Sequence, residues 1–157
     1  MEQAQIVKIL NEQCPGAFVE EQPKAVVIKK ESLLAVTKLL KNSELAFQNL
    51  HSVTAVDRNE KMEVVYHLYS FKYRFMLTLK VFLPISDLTI ESVSHLWKSA
   101  DWLERETYDF FGIKFLNHPD LRRILNPNEW TDWPLRKNFD RPDFYRLPAV
   151  EGLKGGA

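Results

Sequence analysis

Between Met62 and Leu83 apolar and other residues alternate almost without interruption, and no other feature limits the fold as strongly. Met62, Val64, Tyr66 and Leu68 interleave with Glu63, Val65, His67 and Tyr69. After a turn near Ser70-Phe71-Lys72, Tyr73, Phe75, Leu77, Leu79, Val81 and Leu83 interleave with Arg74, Met76, Thr78, Lys80 and Phe82. A side-chain period of two, kept over two runs, predicts an antiparallel hairpin with one face in a core. Pro84 closes it, having no N–H for the ladder.

What precedes the hairpin must supply the layers that cover it. Ile6, Ile9 and Leu10 recur at helical spacing until Pro15-Gly16 stops them. Ala25-Val26-Val27-Ile28 reads as a short strand, and Leu33, Val36, Leu39 and Leu40 form the stripe of a second helix ending near Asn42-Ser43. Val53 to Asp57 forms another strand, closed by Arg58-Asn59. A third helix, starting between Ser94 and Ser99 where either serine can cap it, runs to Phe111, with Gly112 as a left-handed C′ residue. Leu96, Ala100, Leu103, Phe110 and Phe111 make its sheet-facing arc. The expected fold is α+β: a mixed or antiparallel sheet packed with helices over residues 1–112, followed by an extended irregular C-terminal arm over 113–157.

The arm carries five of the eight prolines and shows neither period, yet it holds Trp130, Trp133, Phe139, Phe144 and Tyr145. A disordered tail rarely carries so many aromatics. Large apolar side chains on a segment with no core of its own mark an interaction surface, and Trp130 and Trp133 are the expected anchors. Arg122 and Arg123 are expected to pair with a partner's carboxylates, which guanidinium forks suit.

Charge and cysteine content remove several function classes. Twenty-one basic residues balance twenty-one acidic ones, which argues against a general nucleic-acid binder and against charge-driven adsorption to anionic lipid. Cys14 is the single cysteine, so neither an internal disulfide nor a four-thiolate cluster can form. No apolar run approaches the ~18–20 residues of a membrane span, and the first dozen residues lack the pattern of a secretory signal. His51, His67 and His95 have no neighbouring ligand or triad pattern and are expected to be structural.

The densest chemistry is Asp101-Trp102-Leu103-Glu104-Arg105-Glu106-Thr107-Tyr108-Asp109-Phe110-Phe111-Gly112. On a helix, at ~100° per residue, its four carboxylates spread over more than half the circumference and do not converge as metal ligands would. Arg105 lies one turn from both Asp101 and Asp109, a spacing that favours ion pairs. The expected reading is a polar face, solvated or turned to a partner. The alternative is a free-standing enzyme using Asp101, Glu104, Glu106 or Asp109 with His118.

Glu104-Arg105-Glu106 with Tyr108 to Ile113, followed by His118-Pro119-Asp120-Leu121-Arg122-Arg123-Ile124-Leu125, resembles the signature of the thirty-kilodalton (C-type) subunit of respiratory complex I, the proton-pumping NADH:quinone oxidoreductase. The likeness extends back to Ser99-Ala100-Asp101-Trp102 and on through Trp130 to Pro134-Leu135-Arg136-Lys137-Asn138-Phe139. The resemblance implies a non-catalytic scaffold subunit of the peripheral arm, held on the cytoplasmic face of the inner membrane through its complex. It also implies that flavin and iron–sulfur clusters belong to partner subunits, with no cofactor on this chain. The implied partners are the large quinone-site subunit and neighbouring iron–sulfur subunits. Equivalent subunits serve ferredoxin-driven and hydrogenase-type membrane complexes, and the sequence does not separate these. By the same resemblance Glu104, Arg105, Glu106, Asp109, Gly112, His118, Arg122, Arg123, Trp130, Trp133, Pro134, Leu135, Arg136, Lys137 and Phe139 form the signature and partner interface.

Overall fold

A computed structural model describes residues 3–140 of the chain; Phe144 and Tyr145 of the arm lie outside the described residues. Helix α1 (Gln3–Gln13) buries Ile6 and Leu10, as its spacing predicts, together with Val7, while Ile9 is half-buried against the core. Strands β1 (Phe18–Gln22) and β2 (Ala25–Ile28) follow as an antiparallel pair. A 3₁₀ turn (Lys30–Ser32) leads into α2 (Leu33–Asn42), which buries Leu33, Val36, Thr37 and Leu40. Strands β3 (Asn49–Asp57), β4 (Lys61–Ser70) and β5 (Phe75–Pro84) form a meander. A short β6 (Thr89–Glu91) precedes α3 (Ser99–Phe111), and β7 (Lys114–Leu116) follows it.

The hairpin is where the alternation places it. Val64 faces Val81, Tyr66 faces Leu79 and Leu68 faces Leu77 across the β4–β5 ladder, and all six are buried. Such cross-strand pairs are the unit of sheet stability. The β5 strand opens at Phe75, two residues later than expected, because Arg74 takes a positive φ and belongs to the turn.

The main sheet runs β1-β2-β5-β4-β3 and is mixed, because β2 lies parallel to β5 while the other pairs are antiparallel. Period two is blind to strand direction, so only the folded structure decides this. β1 escapes the sequence reading because its Val19, Glu20 and Glu21 are exposed on an edge, where charge guards against further pairing. β6 and β7 pair in parallel as a separate ribbon, each too short to display a period.

Ile6, Leu10, Leu33, Val36 and Leu40 from α1 and α2 share one core with the inner residues of β4 and β5. Ala100 and Phe111 of α3 join it, and α3 lies against β3, with Ser99 Oγ donating to Leu50 O and Thr107 Oγ1 to Val53 O. Ser99 is thus the first helical residue, tied to the sheet, and neither it nor Ser94 caps the helix. Leu96 lies before α3 and only flanks the core. Ile113 and Phe115 also enter the core, so packing continues across the boundary expected between residues 112 and 113. Among the described residues no helix is long and apolar enough to cross a membrane.

Candidate functional site

Residues 122–136, after β7, fold back over the face of α3 that points away from β3. The helix is therefore covered on two sides, and its buried residues include Glu104, Arg105, Thr107 and Asp109. This corrects the expected polar face: three of its charged residues are interior, and only Glu106 and Trp102 among its middle positions are exposed.

Asp109 organises the returning segment. Its Oδ2 accepts three consecutive backbone N–H groups, from Ile124 (3.1 Å), Leu125 (2.7 Å) and Asn126 (3.0 Å). Its Oδ1 accepts Arg123 Nη1 at 2.8 Å and Asn126 Nδ2 at 3.1 Å. Burial acts to raise this carboxyl's pKa, but the backbone donors and Arg123 outweigh it and hold the group down at about 2.

Arg123 completes the clamp. Nη1 also donates to the Asp109 carbonyl, and Nη2 donates to Trp130 O and Asp132 O at 2.9 and 2.8 Å. Its guanidinium lies 4.3 Å from the centre of the Trp133 ring. The partner carboxylate expected for Arg123 is thus supplied by this chain's own Asp109. Trp133 likewise packs within the chain, edge-on to Tyr108 at 5.2 Å.

Trp133 also explains Gly112 twice. Gly112 ends α3 at φ +72°, a conformation in which a Cβ is strained. A Cβ there would meet the Trp133 ring at 2.5 Å and Arg136 Nη2 at 2.6 Å. The carbonyls at the helix end, which have no intrahelical donor, are met by the arm: Leu135 N donates to Phe110 O and Arg136 Nε to Phe111 O. A cation at that end also suits the helix dipole. Lys137 N reaches Asp57 Oδ2 at the end of β3, while its side chain is exposed. Trp130 and Phe139 rings lie 6.5 Å apart, Pro134 is half-buried and Leu135 is exposed.

A second buried carboxylate faces the other way. Glu104 accepts Ser92 Oγ at 2.6 Å and Val93 N at 2.8 Å, tying α3 to the segment after β6. Burial raises its pKa to about 7, against the pull of those two hydrogen bonds. The His118 ring is sealed beside it: Nδ1 accepts the Asp120 N–H, which assigns the ring proton to Nε2, 3.1 Å from Asp101 O. Tyr66 Oη and Asp101 Oδ1 are the two sealed side-chain polar atoms without a hydrogen-bond partner among the described residues.

The expected ion pairs of Arg105 with Asp101 and Asp109 do not form. Arg105 Nε donates to Arg122 O at 3.3 Å, its ring neighbour is Trp102 at 4.7 Å, and among the described residues its one ion pair is to Asp120 at 3.9 Å. Arg122 is exposed and bonded through Nε to both Asp120 oxygens.

Most of the buried signature residues therefore fall into an Asp109–Arg123–Gly112–Trp133–Arg136 clamp, a Glu104 staple to Ser92 and Val93 with His118 beside it, and an Arg105–Arg122 pocket. Sequence reasoning missed Asn126, Ser92 and Asp120, whose partners lie two, twelve or seventeen residues away without any shared period. Among the described residues no three His, Cys, Asp or Glu side chains gather as a metal site.

Residues 26–145 match the family described as Respiratory-chain NADH dehydrogenase, 30 Kd subunit. The C-type NADH-quinone oxidoreductase subunit of Citrifermentans bemidjiense is 45% identical over 117 residues, covering 73% of this chain and 72% of that protein. Its namesake from Geobacter metallireducens is 44% identical over 134 residues, covering 83% and 80%. Among solved structures, the trypsin-resistant fragment (1-134) of Nqo5 superposes with a TM-score of 0.63 at 29% identity, over 74% of this chain and 99% of that one. A protein chain from a membrane-bound sulfane sulfur reductase, an archaeal respiratory membrane complex, shares the fold with a TM-score of 0.75 at 24% identity, over 98% of each.

Proposed function

The chain belongs to the family of the 30 kDa subunit of respiratory-chain NADH dehydrogenase, and we propose that it is a non-catalytic scaffold subunit of a membrane-bound NADH:quinone oxidoreductase. In this reading it sits in the peripheral arm on the cytoplasmic face of the inner membrane, against the large quinone-site subunit and neighbouring iron–sulfur subunits. Those partners hold the flavin and clusters, pass electrons from NADH to quinone and couple them to proton translocation. This chain holds them in register.

The observation that most supports this role is the occupation of Asp109. An enzyme that used Asp109 of the acidic helix would need that carboxylate to hold a substrate, ligate a metal or carry a proton. It is already filled by three backbone N–H groups, an amide and a guanidinium, and at about pKa 2 it keeps no proton near neutrality. Glu104 titrates in a general acid's range but is fully buried against Ser92 and Val93. The signature thus acts to fix the arm on α3, which suits a part whose value is its shape.

Purification of the tagged chain from native membranes in mild detergent tests the reading. The expected result is recovery of the NADH:quinone oxidoreductase subunits with quinone-reducing activity, while the isolated chain carries no flavin or iron and turns nothing over. Turnover by the isolated chain, or recovery without those subunits, would overturn it.

A further inference from the structure

Charge is balanced within the Asp109 clamp but not beside it. Between α3 and the 122–128 segment lies a pocket walled by Trp102, Arg105, Arg122, Arg123 and Asn128. Arg123 has both terminal nitrogens committed, to Asp109, Trp130 O and Asp132 O. Arg105 does not. Its side chain is only 4% exposed, yet among the described residues its one hydrogen bond is from Nε, and its one carboxylate neighbour is 3.9 Å away. Neither terminal nitrogen is among the sealed unpartnered atoms, so both keep access to the pocket.

The neighbouring carboxylate is also divided. Asp120 is held by Arg122 at 2.8 Å, leaving two guanidinium charges on one acid. A buried cation in this state carries a desolvation cost that a second anion would offset. Trp102, stacked 4.7 Å over Arg105, is 62% exposed at the rim. A rigid aromatic beside a buried arginine is the make-up of an interface anchor.

We infer that the Trp102–Arg105–Arg122 pocket is a socket for one carboxylate side chain of a protein partner. The deficit is a single charge, which an Asp or Glu fills and a dianion overfills. The free edge of the Arg105 guanidinium offers two parallel donors, the geometry a carboxylate accepts. The exposed Trp102 ring gives the acid's aliphatic stem a surface that a free ion would not use. The inference rests on the scaffold reading and names the chemistry of one of its contacts.

Acetate is the probe, titrated into the isolated full chain while the Arg105 Nε–H and Trp102 Nε1–H NMR signals are followed. Saturable shifts are expected with acetate and not with chloride at equal ionic strength, weakened about tenfold or more in Arg105→Gln. Absence of acetate binding, or equal binding by the variant, overturns the socket. Phosphate binding more tightly than acetate overturns the choice of a carboxylate. Trp102→Glu guards against loss of fold in Arg105→Gln: its position is exposed and puts an acid one turn from Arg105, so it should fold and block acetate. In membranes the Trp102→Glu chain should enter the complex at about a tenth of the wild-type level or less, and full entry overturns the partner's role. Failure of the wild-type chain to co-purify with any quinone-reducing complex would sink the scaffold reading alone, since the acetate titration is decided on the isolated chain.

Discussion

Glu104 and Asp109 lie five residues apart on one helix, and both are sealed from solvent, yet they hold a proton on opposite terms. Glu104 faces the β6 side and receives two hydrogen bonds; burial prevails, and its pKa stands near 7. Asp109 faces the arm and receives five bonds from backbone, amide and guanidinium donors; these prevail, and its pKa stands near 2. Burial alone does not set the state of a carboxylate. The number of donors that arrive with it does.

The arm-facing carboxylate should be the harder one to lose. Asp109→Ala leaves Arg123 buried without its acid and three backbone N–H groups without an acceptor. A loss of about 3–5 kcal/mol is expected from chemical denaturation, the range for breaking one side of a buried pair. A loss under ~1 kcal/mol would mean the arm does not depend on this clamp.

Titration separates the two carboxylates further. Glu104 has its pKa raised on folding, so the native state keeps a proton that the unfolded chain releases between about pH 4.5 and 7. Stability should therefore fall as pH rises through that window, by about 3 kcal/mol. Asp109 has its pKa lowered, so its stabilisation is complete above about pH 4 and disappears as pH falls toward 2, by about 2 kcal/mol. Glu104→Gln should flatten the neutral side of the curve and leave the acid side intact. A slope that survives the substitution would assign it to another group.

Gly112→Ala tests the close approach on which the arm side depends. The left-handed φ costs about 1–2 kcal/mol for an L side chain, and displacement of Trp133 adds to it. Hydrogen exchange should quicken over residues 121–139 with the β4–β5 ladder unchanged. The smallest effect is expected at Glu106, exposed between the two buried faces: Glu106→Gln should stay within about 0.5 kcal/mol of wild type in the isolated chain.

The β4–β5 hairpin, the α1 and α2 stripes and the Gly112 stop are all legible in the sequence, because each rests on a period or a local rule complete within a few residues. The buried acids are not. A helical wheel scores a carboxylate by its angle and assigns it to solvent, whereas Asp109 is solvated by backbone from residues 124–126. No spacing rule reports a donor that far along an irregular segment. The same locality explains why the sequence leaves Trp133 waiting for a partner: its ring packs on Tyr108 and over Gly112, a contact made by the shape of the arm. The parallel pairing of β2 is out of reach because its neighbour β5 lies beyond two intervening strands.

That pairing bears on how the chain is made. All four residues of β2 are buried in the finished fold, and Val26 to Ile28 take their places beside Leu79 to Val81. At ribosomal speeds of ~5–20 residues per second, roughly 3–10 seconds separate the synthesis of β2 from that of β5. For that interval β2 has only the charged β1 beside it, and one of its edges is an open template for another nascent chain. The acidic β1 thus shields the first apolar strand on one side, and the other stays exposed until translation reaches β5.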